Sequence, residues 1–352
     1  MKIKRRQFLT TAAAAPLAGS LALAAQEIPS AEVASFFLVG DTHYFADEFE
    51  NGAMNATSVE VGARLIDWMN RLPGTEITAT AGGGVLPVPH GVLHAGDLVE
   101  NADKGPRLYS KAEVEMAACF ADYGLNGGDG RLNWPVREVH GNHDSPHGDG
   151  PVIPEIKARN KKRAGLARVS ENGLHYSWNW AGVHFVALGI TVGDEPTIIR
   201  SRRYAPLASL PFLREDLADT PKEKPIVILH HVDAARYARQ VPDEAAMKAE
   251  WDYGDVQAFY QTIKDRRLAA CLYGHTHARN LFRWNGTPDM KAADGVPAIN
   301  TDNASHWKSQ NQAICHIEID SKELRVREFS TKDAWHTGFW TPQIWRFPIA
   351  GV

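Results

Sequence analysis

Five short runs suited to buried strands punctuate the first three quarters of the chain, at residues 34–40, 91–95, 135–139, 225–229 and 268–273. Between them the apolar spacing turns helical. Ser58 would cap a helix reaching Leu72, with Val61, Leu65, Ile66 and Met69 on one face and Pro73 ending it. Ser110 and Glu113 form a capping box for a second helix, to about Tyr123. Two more are predicted near 209–218 and 256–264. Residues 174–180 and 183–188 alternate on either side of Ala181-Gly182, which predicts an antiparallel hairpin. The stretch 145–171 is polar, with Lys157, Arg159, Lys161, Lys162 and Arg163, and reads as a solvated surface excursion. Beyond residue 280 the chain becomes β-like, at 281–284, 313–319 and 324–329, and ends in an aromatic tail. Strand and helix alternate, then a meander follows, with no internal repeat and no low-complexity linker. That layout predicts one α/β domain over residues 26–352.

The first 25 residues are of another kind. Lys4-Arg5-Arg6-Gln7-Phe8-Leu9 precedes a weakly apolar, alanine-rich segment interrupted by Pro16 and ending near Ala22-Leu23-Ala24. This reads as a twin-arginine export signal, which makes the translocation machinery a partner and the destination periplasmic or secreted. No later stretch is long and apolar enough for a transmembrane helix. Removing the segment takes away four cations and no carboxylate, so the formal net charge moves from −4 to −8. An acidic surface argues against nucleic acid as a partner. An anionic substrate would then need a local source of positive charge. The three cysteines, Cys119, Cys271 and Cys315, form neither a disulfide framework nor a metal-binding pair; buried thiols are the expectation, with a Cys271 to Cys315 bridge left open.

The strand-like runs share one feature: each ends on side chains able to bind metal or move protons. These are Asp41 and His43; Asp97; Asn142, His143 and Asp144; His230; and His275 and His277. In open α/β sheets the loops at strand carboxyl ends converge on one crevice. Any one pair is explained by a turn or a satisfied core histidine, but five together point to a site. Imidazole with carboxylate or amide oxygen suits Zn, Fe or Mn, and the set lacks thiolate. His94 and His231 adjoin these positions and either line the site or pack behind it. His184 reads as structural.

The ordered set Asp-x-His, Gly-Asp, Gly-Asn-His-Asp, a lone His and Gly-His-x-His, from Asp41 to His277, resembles the calcineurin-like metallophosphoesterase superfamily. The resemblance implies an α/β fold built as a two-sheet β sandwich flanked by helices. It implies one metal held by Asp41, His43, Asp97 and His277 and a second by Asp97, Asn142, His230 and His275. It further implies hydrolysis of a small-molecule phosphomonoester or phosphodiester by a hydroxide shared between two Mn, Fe or Zn ions, with His143, oriented by Asp144, as proton donor. Two other functions fit the same sequence: a non-catalytic binder of phosphate ligands on this fold, or an enzyme for lipid or wall phosphoesters, the latter prompted by the aromatic tail.

Overall fold

The computed structural model describes residues 32–47, 53–194 and 202–349; the segment read as an export signal lies outside them. In chain order the elements are β1 (Ala34–Val39), α1 (Ala56–Arg71), β2 (Gly91–His94), α2 (Tyr109–Tyr123), β3 (Val136–Glu138), α3 (Val152–Lys162), β4 (Leu166–Val169), β5 (Tyr176–Trp180), β6 (Val183–Ala187), α4 (Ser209–Asp219), β7 (Ile226–Leu229), α5 (Asp243–Ala246), α6 (Tyr253–Ile263), β8 (Leu268–Tyr273), β9 (Asn280–Trp284), β10 (Val296–Asn300), β11 (Gln312–Ile319), β12 (Glu323–Thr331) and β13 (Phe339–Pro348). They build two mixed sheets, ordered β13-β12-β11-β1-β2-β3 and β4-β5-β6-β7-β8-β10-β9.

Three apolar clusters hold four layers together. One, with Phe36, Leu38, Trp178, Phe185, Val227 and Leu229, fills the space between the sheets. A second seats α1, α2 and α3 on the first sheet, and a third seats α4 and α6 on the second. The strands leading to the expected site run parallel to their neighbours: β1 with β2, β2 with β3, β6 with β7 and β7 with β8. Their carboxyl ends therefore open on one edge of the sandwich.

Local chemistry accounts for most elements. In α1, Val61, Leu65, Ile66 and Met69 are buried as their spacing predicts, but the cap is Asn55, whose side chain accepts from Ser58 N at 3.1 Å. Helix α2 has no side-chain cap; the turn Pro106–Leu108 leads into it instead. The hairpin of β5 and β6 turns on Ala181 and Gly182, with φ of 44° and 79°, the double positive φ of a type I′ turn.

Residues 145–171 do not form a solvated excursion. Val152, Ile153 and Ile156 of α3 are buried, and Arg159 and Arg163 close on the buried Glu138 of β3 at 2.8 and 2.5 Å. Burial alone would raise the Glu138 carboxyl, but the two guanidinium groups hold it well below the usual carboxylate range. This ion triad fastens α3 to the strand that delivers residues 141–144. All three cysteines are free and buried. Cys271 faces the layer of α4 and α6 while Cys315 lies between the sheets, so the two point into different cores.

Candidate metal centre

Asp41 and His43 follow β1, Asp97 follows β2, Asn142 and His143 follow β3, and His275 and His277 follow β8. All of these come together. Asp41, His43, Asp97 and His277 each offer an atom within 4.8 Å of the others'. His43 Nε2 and His277 Nε2 are 3.1 Å apart, with Asp41 Oδ1 3.4 Å from the latter and Asp97 Oδ2 3.7 Å from the former. Asp41, His43, Asp97, His275 and His277 all have positive φ, between 46° and 74°. Left-handed backbone at non-glycine residues is uncommon, and its concentration on these five positions marks strain held at a site.

Close approach explains the glycines of the motifs. A Cβ on Gly141 would stand 2.3 Å from Asp97 Oδ1, and one on Gly274 would stand 2.6 Å from Asp41 Oδ2. Only glycine lets the loops pass this near to the carboxylates.

His230 is not part of the group; His231 is. Along β7, Ile226 and Ile228 face the α4 and α6 layer, while Val227 and Leu229 face the other sheet. The strand continues one residue further through His230 N to Leu272 O at 3.1 Å, so His230 shares the face of Ile226 and Ile228. Its ring packs among Trp251, Phe259 and Tyr273, neither nitrogen has a partner, and burial pushes it down to about 3. His231 emerges on the site side. Its Nδ1 lies 2.7 Å from Ala95 O, and its Nε2 lies 3.3 Å from Asp97 Oδ2 and 3.1 Å from Asn142 Oδ1. His275 Nδ1 is 2.8 Å from the same Asn142 oxygen.

These contacts test whether the residues fit a cation. A carbonyl only accepts, so His231 must carry its proton on Nδ1, which leaves the Nε2 lone pair facing two further acceptors. His43 repeats the pattern: Nδ1 is 2.9 Å from Glu100 Oε2, and Nε2 faces a second imidazole and Asp97. Lone pairs converge on two points that share Asp97 Oδ2, while Asp97 Oδ1 accepts from His143 N at 2.8 Å. A positive ion at each point would satisfy these lone pairs, and imidazole nitrogen with carboxylate and amide oxygen is a donor set that suits first-row transition metals. Without one, protons serve: burial would lower the His231 imidazole, but Asp97 raises it to about 9. Burial works to raise Asp97 in turn, yet His231, His143 and His43 hold it well below the usual carboxylate range.

Asp144 does not orient His143. Its carboxylate accepts from Gly141 N, Leu98 N and Val99 N at 2.7 to 3.1 Å and ties the Asn142 loop to the Asp97 loop. His143 Nδ1 instead faces Glu100, 3.3 Å from its main-chain oxygen and 3.8 Å from Oε2, with Asp103 Oδ1 at 3.7 Å. Burial would lower its pKa, but Asp97, Glu100 and Asp103 raise it. With 25% of its side chain exposed, His143 stands at the mouth of the site.

Three further residues join the centre. Glu100, three positions beyond Asp97, backs both His43 and His143, and Glu250 Oε2 lies 3.5 Å from His275 Nε2. The His306 ring stands 4.7 Å from that of His43. His306 Nδ1 accepts from Lys308 N at 3.1 Å, so its Nε2 carries the proton, and one of its ring nitrogens lies within 4.8 Å of ring nitrogens of His43 and His277. His94 packs behind the site, 3.0 Å from Thr42 Oγ1, and His184 pairs with Asp216 at 2.6 Å. Arg279 is taken by Glu328 at 2.6 Å.

No curated protein matches the chain. A dimetal phosphatase from Danio rerio is similar at 12% identity, over 91% of this chain and 100% of that one, with a TM-score of 0.47. A purple acid phosphatase from yellow lupin is similar at 13% identity over 93% of this chain and 55% of that one, with a TM-score of 0.48. The family described as calcineurin-like phosphoesterase matches residues 34–279. That span covers most of the chain and runs from β1 past His277, so this protein is a hydrolase belonging to the calcineurin-like phosphoesterase family.

Proposed function

We propose that this protein is an exported phosphoesterase with two metal ions, acting on phosphomonoesters or phosphodiesters. One observation carries the reading: Asp97 Oδ2 lies between two sets of nitrogen lone pairs, His43 Nε2 on one side and His231 Nε2 on the other. Asp41, His43, Asp97 and His277 would hold one ion and Asp97, Asn142, His231 and His275 the second. When bound, such a pair supplies positive charge for phosphoryl oxygens and acidifies water.

The chain's own residues do the rest. His43 is steadied by Glu100 and His275 by Glu250, which fixes the directions in which their lone pairs point. Hydrolysis forms one P–O bond from water and breaks the ester P–O bond, and the departing oxygen needs a proton. His143, exposed at the mouth with Nδ1 held by Glu100, supplies it. The Nε2–H of His306 is positioned to donate to a phosphoryl oxygen as charge builds there.

Hydrolysis of p-nitrophenyl phosphate and of bis-p-nitrophenyl phosphate, with Mn, Fe or Zn returned to metal-free protein, tests the reading. Turnover of at least one ester is expected, and silence on both with every metal refutes it. Export rests on the sequence of the first 25 residues: Arg5→Lys with Arg6→Lys should retain the protein in the cytosol, and unchanged export would overturn the twin-arginine route.

A further inference from the structure

A cavity of about 750 Å³ opens beside the centre, walled by residues of 236–255 together with Asp194, Arg202 and Arg203. Glu250 is the wall it shares with the metal site. Its Oε2 lies 3.5 Å from His275 Nε2 and 4.0 Å from Arg236 Nη1, and it also accepts from the Tyr237 hydroxyl. The guanidinium of Arg236 is therefore one carboxylate removed from the ring that faces Asn142.

The charges lining this cavity are unevenly committed. Asp252 and Asp255 close on the buried Arg203, Asp194 pairs with Arg214 at 3.6 Å, and Glu250 is engaged by His275 and Tyr237. Arg202 and Arg236 reach Glu250 only at 3.9 and 4.0 Å and are otherwise 62% and 57% exposed. Arg239 is exposed and has no carboxylate within ion-pair distance among the described residues. Among the described residues every lining carboxylate has a partner, and the guanidinium groups of Arg202, Arg236 and Arg239 are left facing the opening.

From this we infer that the cavity is a second anion site, and that the substrates are phosphoesters whose leaving group carries a further phosphate or carboxylate. The inference rests on the phosphoesterase reading above and adds the substrate class. Planar guanidinium groups match both anions in bidentate fashion. Their setting suits recognition of the leaving group: the ester phosphate sits at the centre, while the remote anion reaches across Glu250 to Arg202, Arg236 and Arg239. The protein as a whole is acidic, so this patch is a local exception and the anion is drawn to one place.

The test compares two esters that differ by one remote phosphate, 3′-AMP and adenosine 3′,5′-bisphosphate, on Mn-loaded wild type and on Arg236→Gln/Arg239→Gln. Wild type should favour the bisphosphate in kcat/KM by about tenfold or more, as expected for one or two charge-assisted contacts. The variant should bring the ratio near one with metal content unchanged, and Arg236→Lys/Arg239→Lys should restore part of it. Equal use of both esters by wild type, or a preference that survives in the glutamine variant, overturns the inference while leaving the enzyme reading in place. If neither ester is cleaved, nor p-nitrophenyl phosphate, nor bis-p-nitrophenyl phosphate, the enzyme reading fails. Calorimetric binding of pyrophosphate then decides the second site: weaker binding to the variant supports it, and equal or absent binding overturns it.

Discussion

Replacing His231 by leucine removes one of the four side chains around the proposed second cation position, and the same substitution at His230 is its control. Two costs follow at His231. The buried Ala95 carbonyl loses the donor 2.7 Å away, which leaves it unsatisfied at about 1–3 kcal/mol. The cation position loses a nitrogen directed at Asp97 and Asn142. Losing a group that merely supports a metal ligand lowers metal affinity about 10- to 100-fold, so losing the ligand itself should exceed about 100-fold. At His230 neither ring nitrogen has a partner and the surroundings are Trp251, Phe259 and Tyr273. Leucine there removes two unsatisfied nitrogens from an apolar pocket, so stability should stay within about 1 kcal/mol of wild type or rise. Metal-to-protein ratio by mass spectrometry after dialysis against limiting Mn, together with calorimetric Tm, reads both effects. His231→Leu should retain at most one ion and lose most phosphoesterase activity, whereas His230→Leu should keep both. The opposite pattern would refute the strand-parity argument that chose between them.

Three other outcomes follow from the same geometry. His143→Ala should keep its metal while kcat falls about 10²- to 10⁴-fold, more for alkyl than for p-nitrophenyl leaving groups; metal lost in parallel with rate would remove its role as proton donor. Glu138→Gln strands Arg159 and Arg163 in the core and should cost about 3–5 kcal/mol in denaturant unfolding, against which a change under 1 kcal/mol would count. Because the folded-state pKa of Glu138 is depressed, wild type should hold this stability above the unfolded glutamate value near 4.5 and lose it progressively as pH falls below that, a slope the variant should lack. Gly141→Ala puts a methyl 2.3 Å from Asp97 Oδ1, so metal binding should drop together with stability, whereas Gly165→Ala, with nothing within 4 Å, should leave metal binding intact.

The strand ends were legible in sequence because the parallel strands are buried on both faces and read as uninterrupted apolar runs that stop on polar motifs. Which of two adjacent histidines turns inward was not, since both stand within two residues of Leu229 at the strand's end. The deciding fact is that β7 continues through His230, and that hydrogen bond belongs to the sheet, not to the local pattern. Asp144 looked like a partner for its neighbour, yet its three amide donors come from Gly141 and from Leu98 and Val99, the last two more than forty residues away. Strand β10 was hidden by Pro297, which the sheet accepts because β8 pairs only from Ala298 onward. Strand β13 lies at a sheet edge with most side chains partly or fully exposed, so its alternation is weak. The basic residues near 160 looked solvated because nothing local announces that Glu138 will be waiting for two of them.

The most direct test is the number of ions bound per chain in wild type and in Asp97→Ala, measured by mass spectrometry at saturating Mn with circular dichroism to confirm folding. Two ions in wild type and essentially none in the variant is the predicted result, since Asp97 Oδ2 borders both groups of nitrogen donors. One ion in wild type, or a variant that still holds two, would contradict a shared carboxylate at the centre of this site.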